Sequence, residues 1–321
     1  KDREFATITA LMEIGTGDFM VSTLLTVYRI NAKTGDVVWQ VGSSGQMGGI
    51  SGDSKFGAVL EQLAAETVSD NDIVFEMYMR DGDNERFYTG TQMAYEHKTG
   101  SESTTIFYKS KYNAYSLATG KEVWEKYVEI PGKLGMAAFH EKGLIALPDD
   151  DNKTKINMMD YKTGQKLWGA KGKGRGVNVK GSVVDYRISE KGVLVMTGKA
   201  TAGRYDNSLV NLMDVNTGSL KFDKYQKIKG VLEYSELVDK GLLLVTENEV
   251  NILSLSSGSF LFSKSVPKSP GMFAFGGNVL YVFSNKGGVV YEIDLEKGSQ
   301  RQLSKAEIKF EGCLLYTSDA A

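Results

Sequence analysis

Three carboxylates in a row, Asp149, Asp150 and Asp151, stand in PDDDNKT (148–154). Clustered oxygen donors suit Ca²⁺, but the alternating spacing and closing glutamate of a calcium loop are missing. Asp and Asn are equally good turn formers, so the stretch reads first as a loop between strands. KGKGRG (171–176) offers Lys171, Lys173 and Arg175 among glycines, a composition whose backbone N–H groups could cradle an anion. It is not a phosphate-binding P-loop, because no G-x-x-x-x-G-K-[ST] is present and no helical pattern follows. The bland reading of the same residues is a connection between two sheets. His97 and His140 are the only histidines and Cys313 the only cysteine, too few and too scattered for a zinc cluster. His140 holds a turn position equivalent to Ser189 and Val238. No G-x-S-x-G elbow is present. Motifs alone therefore assign no catalytic, cofactor or metal residues.

The tryptophans point to what must position these groups. There are three, and each lies four residues after the glycine of a Thr-Gly pair: Trp39 after Gly35, Trp124 after Gly120 and Trp168 after Gly164. Phe222 after Gly218 and Phe262 after Gly258 continue the series, and DLEKGSQRQL around Gly298 is a degraded sixth copy ending in Gln302. Successive glycines are 85, 44, 54, 40 and 40 residues apart. A period near 40–45 residues is that of a four-stranded propeller blade. A second phrase keeps the same time: HEKGLIALP, SEKGVLVMT, VDKGLLLVT and GGNVLYVFS each set a turn before a short apolar run, about 20 residues upstream of the next Thr-Gly turn. Each blade then reads as four strands, with the aromatic on the outer one.

The turn glycine accepts positive φ without a Cβ clash. The aromatic four residues on, burying about 150–250 Å², closes the seam between neighbouring sheets. Exchange of Trp for Phe favours packing over chemistry. A blade cannot bury both faces alone, so neighbours stabilise one another.

The 85-residue step exceeds one blade. In DSKFGAVLEQLAAETV, residues Phe56, Val59, Leu60, Leu63 and Thr67 share one helical face, with Asp53 or Ser54 as N-cap, which predicts an amphipathic helix over 54–68. The helix either caps the sheets or docks another protein through Leu60 and Leu63. RFYTGTQMAYEHKTG and STTIFYKSKYNAYSL predict a long hairpin. One blade with a helix and hairpin insertion over about 43–110 is preferred to two full blades, since no second Thr-Gly-x-x-x-aromatic phrase falls between.

Composition is that of an ordinary folded chain of 321 residues, 41% hydrophobic and 24% charged, with net charge −2. Such a charge gives no general attraction to nucleic acid or anionic lipid. No apolar run reaches the length of a membrane span. Thirty-six glycines against four prolines imply many tight turns. The last residues, CLLYTSDAA (313–321), resemble a translated sequencing adapter, and native sequence is then expected to stop near Gly312. The other reading of that stretch is a C-terminal strand. A single propeller domain over 1–312, truncated at both ends, is expected.

The repeat resembles the tryptophan-docking motif of PQQ-like, quinoprotein-type β-propellers, over residues 20–303 and most closely over 115–168. What the resemblance implies is an all-β propeller of seven or eight four-stranded blades, six blade ends being visible here. It also implies a place in the periplasm or cell envelope of Gram-negative bacteria, and a lipid anchor is an open question at the missing N-terminus. Gly35, Trp39, Gly120, Trp124, Gly164, Trp168, Gly218, Phe222, Gly258 and Phe262 would be its docking residues. The function read from this is a non-catalytic binding or scaffold module with a protein partner. The alternative is a dehydrogenase using PQQ and calcium, which the family builds with adjacent cysteines and an aspartate base that cannot be matched here. Its catalytic residues would have to lie in the missing ends.

Overall fold

The computed structural model describes residues 8–23, 26–42, 74–98, 104–149, 153–169, 176–201, 204–266, 272–285 and 288–303. Every regular element among them is a strand, and the strands form six four-stranded antiparallel sheets, each a simple meander. The expected helix over 54–68, with Leu60 and Leu63, lies outside the described residues. The described residues gather into two compact units, 1–183 with 214–219, and 184–213 with 220–321.

In the first unit, β1 (Ile8–Glu13), β2 (Phe19–Thr23), β3 (Thr26–Ile30) and β4 (Val37–Gly42) form one sheet. The next is β5 (Val74–Tyr78), β6 (Arg86–Lys98), β7 (Thr104–Ser116) and β8 (Val128–Pro131). Its centre is the long hairpin: β6 and β7 have 13 residues each and pair over their whole length. The third sheet is β9 (Lys133–His140), β10 (Gly143–Asp149), β11 (Lys153–Met159) and β12 (Val177–Lys180).

The second unit holds β13 (Ser182–Ser189) from residue 184 onward, with β14 (Gly192–Thr201), β15 (Arg204–Met213) and β16 (Gln226–Lys229). It continues with β17 (Leu232–Val238), β18 (Gly241–Thr246), β19 (Glu249–Leu253) and β20 (Phe260–Ser265). The last sheet is β21 (Phe273–Gly276), β22 (Val279–Ser284), β23 (Val289–Asp294) and β24 (Ser299–Gln302).

The core sits in the seams between sheets. β18, GLLLVT, is buried along its entire length. Side chains of a strand alternate between faces, so Leu242 and Leu244 enter a cluster with Leu212, Phe222 and Ile228. Leu243 and Val245 enter another with Leu280, Val282 and Ile293. This is why the run is continuously apolar: both faces of the sheet are covered. In the first unit, Tyr88 and Tyr112 serve one seam while Phe87 and Tyr115 serve the other.

The expected position of the aromatic on the outer strand holds in two blades. Trp39 lies in β4 and Phe262 in β20. Trp124, Trp168 and Phe222 instead precede β8, β12 and β16, each following a single bridge to the third strand (Tyr115 with Glu122, Met159 with Lys166, Met213 with Leu220).

Candidate functional site

The six Thr-Gly-type turns share one construction. The glycine N–H donates to the carbonyl four residues back, from Gly35 to Asn31 and onward to Gly298 and Asp294, at 2.7–2.9 Å. The residue four back is Asn31, Ser116, Asp160, Asp214, Ser254 or Asp294, and its side-chain oxygen accepts backbone N–H groups of the turn. Such short polar side chains mimic a backbone turn. All six glycines have φ between 65° and 75°.

Five of these glycines also carry a ring. A Cβ built on Gly120 would lie 2.9 Å from the Trp39 indole, on Gly164 2.7 Å from Trp124, and on Gly218 2.8 Å from Trp168. On Gly258 it would meet Phe222 at 2.5 Å and on Gly298 it would meet Phe262 at 2.7 Å. Each aromatic thus lies on the glycine of the following turn. The degraded sixth turn still receives a ring, although it supplies none. Gly35 has no ring before it and open space around it. The three indoles add a hydrogen bond that phenylalanine cannot make: Trp39, Trp124 and Trp168 Nε1 donate to the carbonyls of Leu117, Tyr161 and Val215, at 2.9, 2.9 and 2.8 Å. In each case the acceptor is three residues before the turn glycine.

A further repeated residue escaped the sequence reading. Asn113, Asn157, Asn211 and Asn251 are buried on the third strand, seven residues before the turn glycine. At two of the three breaks in the ladder the amide replaces it, while Asn113 Oδ1 accepts the Ala114 N–H. Asn157 Oδ1 accepts the Trp168 N–H at 3.0 Å, and Asn211 both accepts from and donates to the Phe222 backbone, at 3.2 Å each. In the blade of β17–β20 the ladder runs through Phe262, and both polar atoms of Asn251 are buried without a partner. The signal N-x-x-[DS]-x-x-[TS]-G was present in four copies.

The sequence candidates for chemistry fare differently. Lys171, Lys173 and Arg175 lie outside the described residues, as do Asp150 and Asp151. His140 is buried in the β9–β10 turn, where its Nδ1 accepts the Lys142 N–H at 3.1 Å; burial lowers its pKa. Its role there is turn geometry. Among the described residues no three His, Cys, Asp or Glu side chains converge to hold a metal ion. No helix among the described residues is long and apolar enough to cross a membrane.

An open cleft lies in the second unit. It has a volume of about 640 Å³ and lies between the β17–β18 turn and the ends of β21 and β23. Tyr234 and Phe275 form one wall, their ring centroids 5.8 Å apart, with Phe273 packed behind both at 5.0 and 5.9 Å, and Phe275 is 40% exposed. Glu236, Asp239 and Glu296 also line it, against the single ammonium of Lys240. Tyr234 Oη donates to Glu236 Oε2 at 2.6 Å, fixing that carboxylate beside the rings. Lys240 Nζ donates to the Glu296 carbonyl. Aromatic faces beside carboxylates suit a cationic side chain.

The family model described as outer membrane protein assembly factor BamB matches residues 19–302. Among solved structures the chain is similar to BamB from Moraxella catarrhalis, at 12% identity and a TM-score of 0.40, covering 94% of this chain and 79% of that one. It is also similar to Sqt1 of Saccharomyces cerevisiae (11% identity, TM-score 0.48, 92% and 72% covered) and to the Pan2 WD40 domain of Neurospora crassa (11%, 0.43, 87% and 72%). No curated protein matches the chain in sequence. With its repeated turns and four-stranded sheets, the chain belongs to the PQQ-like β-propeller family described by outer membrane protein assembly factor BamB.

Proposed function

We propose that the protein is a non-catalytic binding module of the bacterial cell envelope, and that it holds a protein partner through the acidic, aromatic cleft of the second unit. The observation that carries this reading is the cleft itself, with exposed ring edges beside three carboxylates. Aromatic side chains are enriched at the centres of protein interfaces. A partner that offers Arg or Lys between apolar residues complements it. The family, described as an outer membrane protein assembly factor, supports both a place in the periplasm and a protein partner. Gly35, Trp39, Gly120, Trp124, Gly164, Trp168, Gly218, Phe222, Gly258 and Phe262 act in this reading as docking residues that keep neighbouring blades in register. Leu60 and Leu63 are proposed as a second contact with the partner, and Lys171, Lys173 and Arg175 as an anion contact.

The opposing reading is a dehydrogenase dependent on PQQ and calcium. Purified protein supplied with both, an alcohol or sugar and a redox dye is expected to reduce no dye above the protein-free control. Turnover abolished by removing PQQ would overturn the binding-module reading. In cells, crosslinking is expected to capture one reproducible envelope partner, weakened by Phe275→Asp in the cleft and by Leu60→Asp with Leu63→Asp.

A further inference from the structure

A second pocket, of about 320 Å³, opens in the first unit between β7 and β8 of one blade and β11 of the next. Lys109, Glu129, Lys155 and Lys166 line it, together with Asn157 and the Ile130–Pro131 end of β8. Glu129 is engaged on both oxygens: Lys109 Nζ lies 3.3 Å from Oε2 and Lys111 Nζ lies 3.6 Å from Oε1. Lys111 is held there by the Tyr127 ring, 4.4 Å from its centroid. Lys166 Nζ donates to the main-chain carbonyl of Glu129. Among the residues that line the pocket, one carboxylate faces three ammonium groups. Among the described residues no carboxylate pairs with Lys155. Burial presses Lys166 toward its neutral form, Glu129 opposes this, and Lys155 adds to it. Like charges gathered at a half-buried wall are unfavourable unless something negative joins them.

We propose that this pocket is a binding site for a compact dianion of the phosphate-monoester class, held by Lys155 and Lys166. The residues lining the pocket leave two positive charges uncompensated, and a phosphate monoester at neutral pH carries nearly two negative ones. Lysine ammoniums suit phosphate as point charges. The volume admits a small phosphorylated metabolite as well as the bare ion. A phosphodiester, as in a lipid headgroup, carries one charge and matches less well. The site is independent of the acidic cleft and does not rest on it.

Calorimetric titration of the full chain at about pH 8, with inorganic phosphate, glycerol 3-phosphate and dimethyl phosphate as probes, tests the assignment. Inorganic phosphate and glycerol 3-phosphate are expected to bind, and dimethyl phosphate to bind about tenfold more weakly or not at all. Lys155→Gln is expected to weaken glycerol 3-phosphate about tenfold, the value of one charged hydrogen bond. Lys155→Arg should retain binding, and Lys224→Gln, exposed and in the other unit, should leave it unchanged. Absence of binding by the parent chain overturns the proposal. So does equal binding by Lys155→Gln with an unchanged melting temperature, and equal binding of dimethyl phosphate overturns the dianion in favour of a headgroup.

Discussion

Two seams show how one repeat yields two different surfaces. Between β5–β8 and β9–β12, the Trp124 ring is 1% exposed, donates to the Tyr161 carbonyl and lies within a tilted cluster of Tyr88, Phe139 and Tyr161. Between β17–β20 and β21–β24, Phe262 covers Gly298 only partly buried and without a hydrogen bond of its ring. The first seam is filled to its outer edge, and what opens there is a small pocket walled by lysines. The second leaves Tyr234 and Phe275 to line a larger, acidic cleft near the turns. The lesson is that the ring-on-glycine contact fixes the blades, while residues outside the repeat set the sign and size of each opening. Function in this fold is read from the second class of residue.

The comparison breaks most directly at the rings. Trp124→Ala is expected to cost about 3–5 kcal/mol in urea melts. Phe262→Ala, partly exposed and without a polar partner, is expected to cost about 2 kcal/mol. Equal losses would show that both seams are packed alike. The glycines sharpen the same point from the other side. Gly164→Ala must bear positive φ and a Cβ 2.7 Å from the Trp124 indole, an expected loss of about 2–4 kcal/mol. Gly35→Ala bears the same φ with nothing within 4 Å, and about 1 kcal/mol is expected.

A smaller contrast separates the buried asparagines. Asn211→Ala leaves the N–H and C=O of Phe222 without the partners that replaced the ladder, and should cost about 1–3 kcal/mol. Asn251→Val removes two buried polar atoms that have no partner, and should fall within about 1 kcal/mol of neutral or stabilise. The smallest effect is acid sensitivity. Burial opposes ionisation of Asp160, but the amides of Thr163 and Lys162 and the Thr163 hydroxyl outweigh it and hold the carboxyl below its usual value. A carboxylate whose folded pKa is depressed stabilises fully above its unfolded pKa, about 3.9, and loses this as pH falls through the lower folded value. Asp160→Asn keeps a turn acceptor and is expected to flatten the stability loss below about pH 4, measured by urea melts across that range.

Much of this was legible because the repeat restates itself. Five aromatics at a fixed offset from a turn glycine, with apolar runs in step, specify four-stranded blades by turn chemistry and periodicity alone. The glycine's second duty was not legible, since φ > 0 explains Thr-Gly without a ring resting on it, and the ring arrives from the preceding repeat. The buried asparagine repeated as faithfully as the tryptophan. It was passed over because the break in the ladder that Asn157 and Asn211 repair is visible only in the sheet. The two openings were invisible for a further reason. Lys109, Glu129, Lys155 and Lys166 are spread over 58 positions, three strands and an isolated bridge, and only sheet register brings them to one wall. Tyr234 and Phe275 read as ordinary strand aromatics until the seam between them is seen to stay open.

The most direct test of the binding-module account is a photoreactive side chain placed at Phe275 in living cells, compared with one at Phe107, which is also exposed, on β7 in the other unit. The account predicts one discrete crosslinked partner from position 275, lost when Glu236→Lys reverses the charge beside it, and none from position 107. The same adduct from both positions, or none from 275 while the protein is abundant, would contradict it.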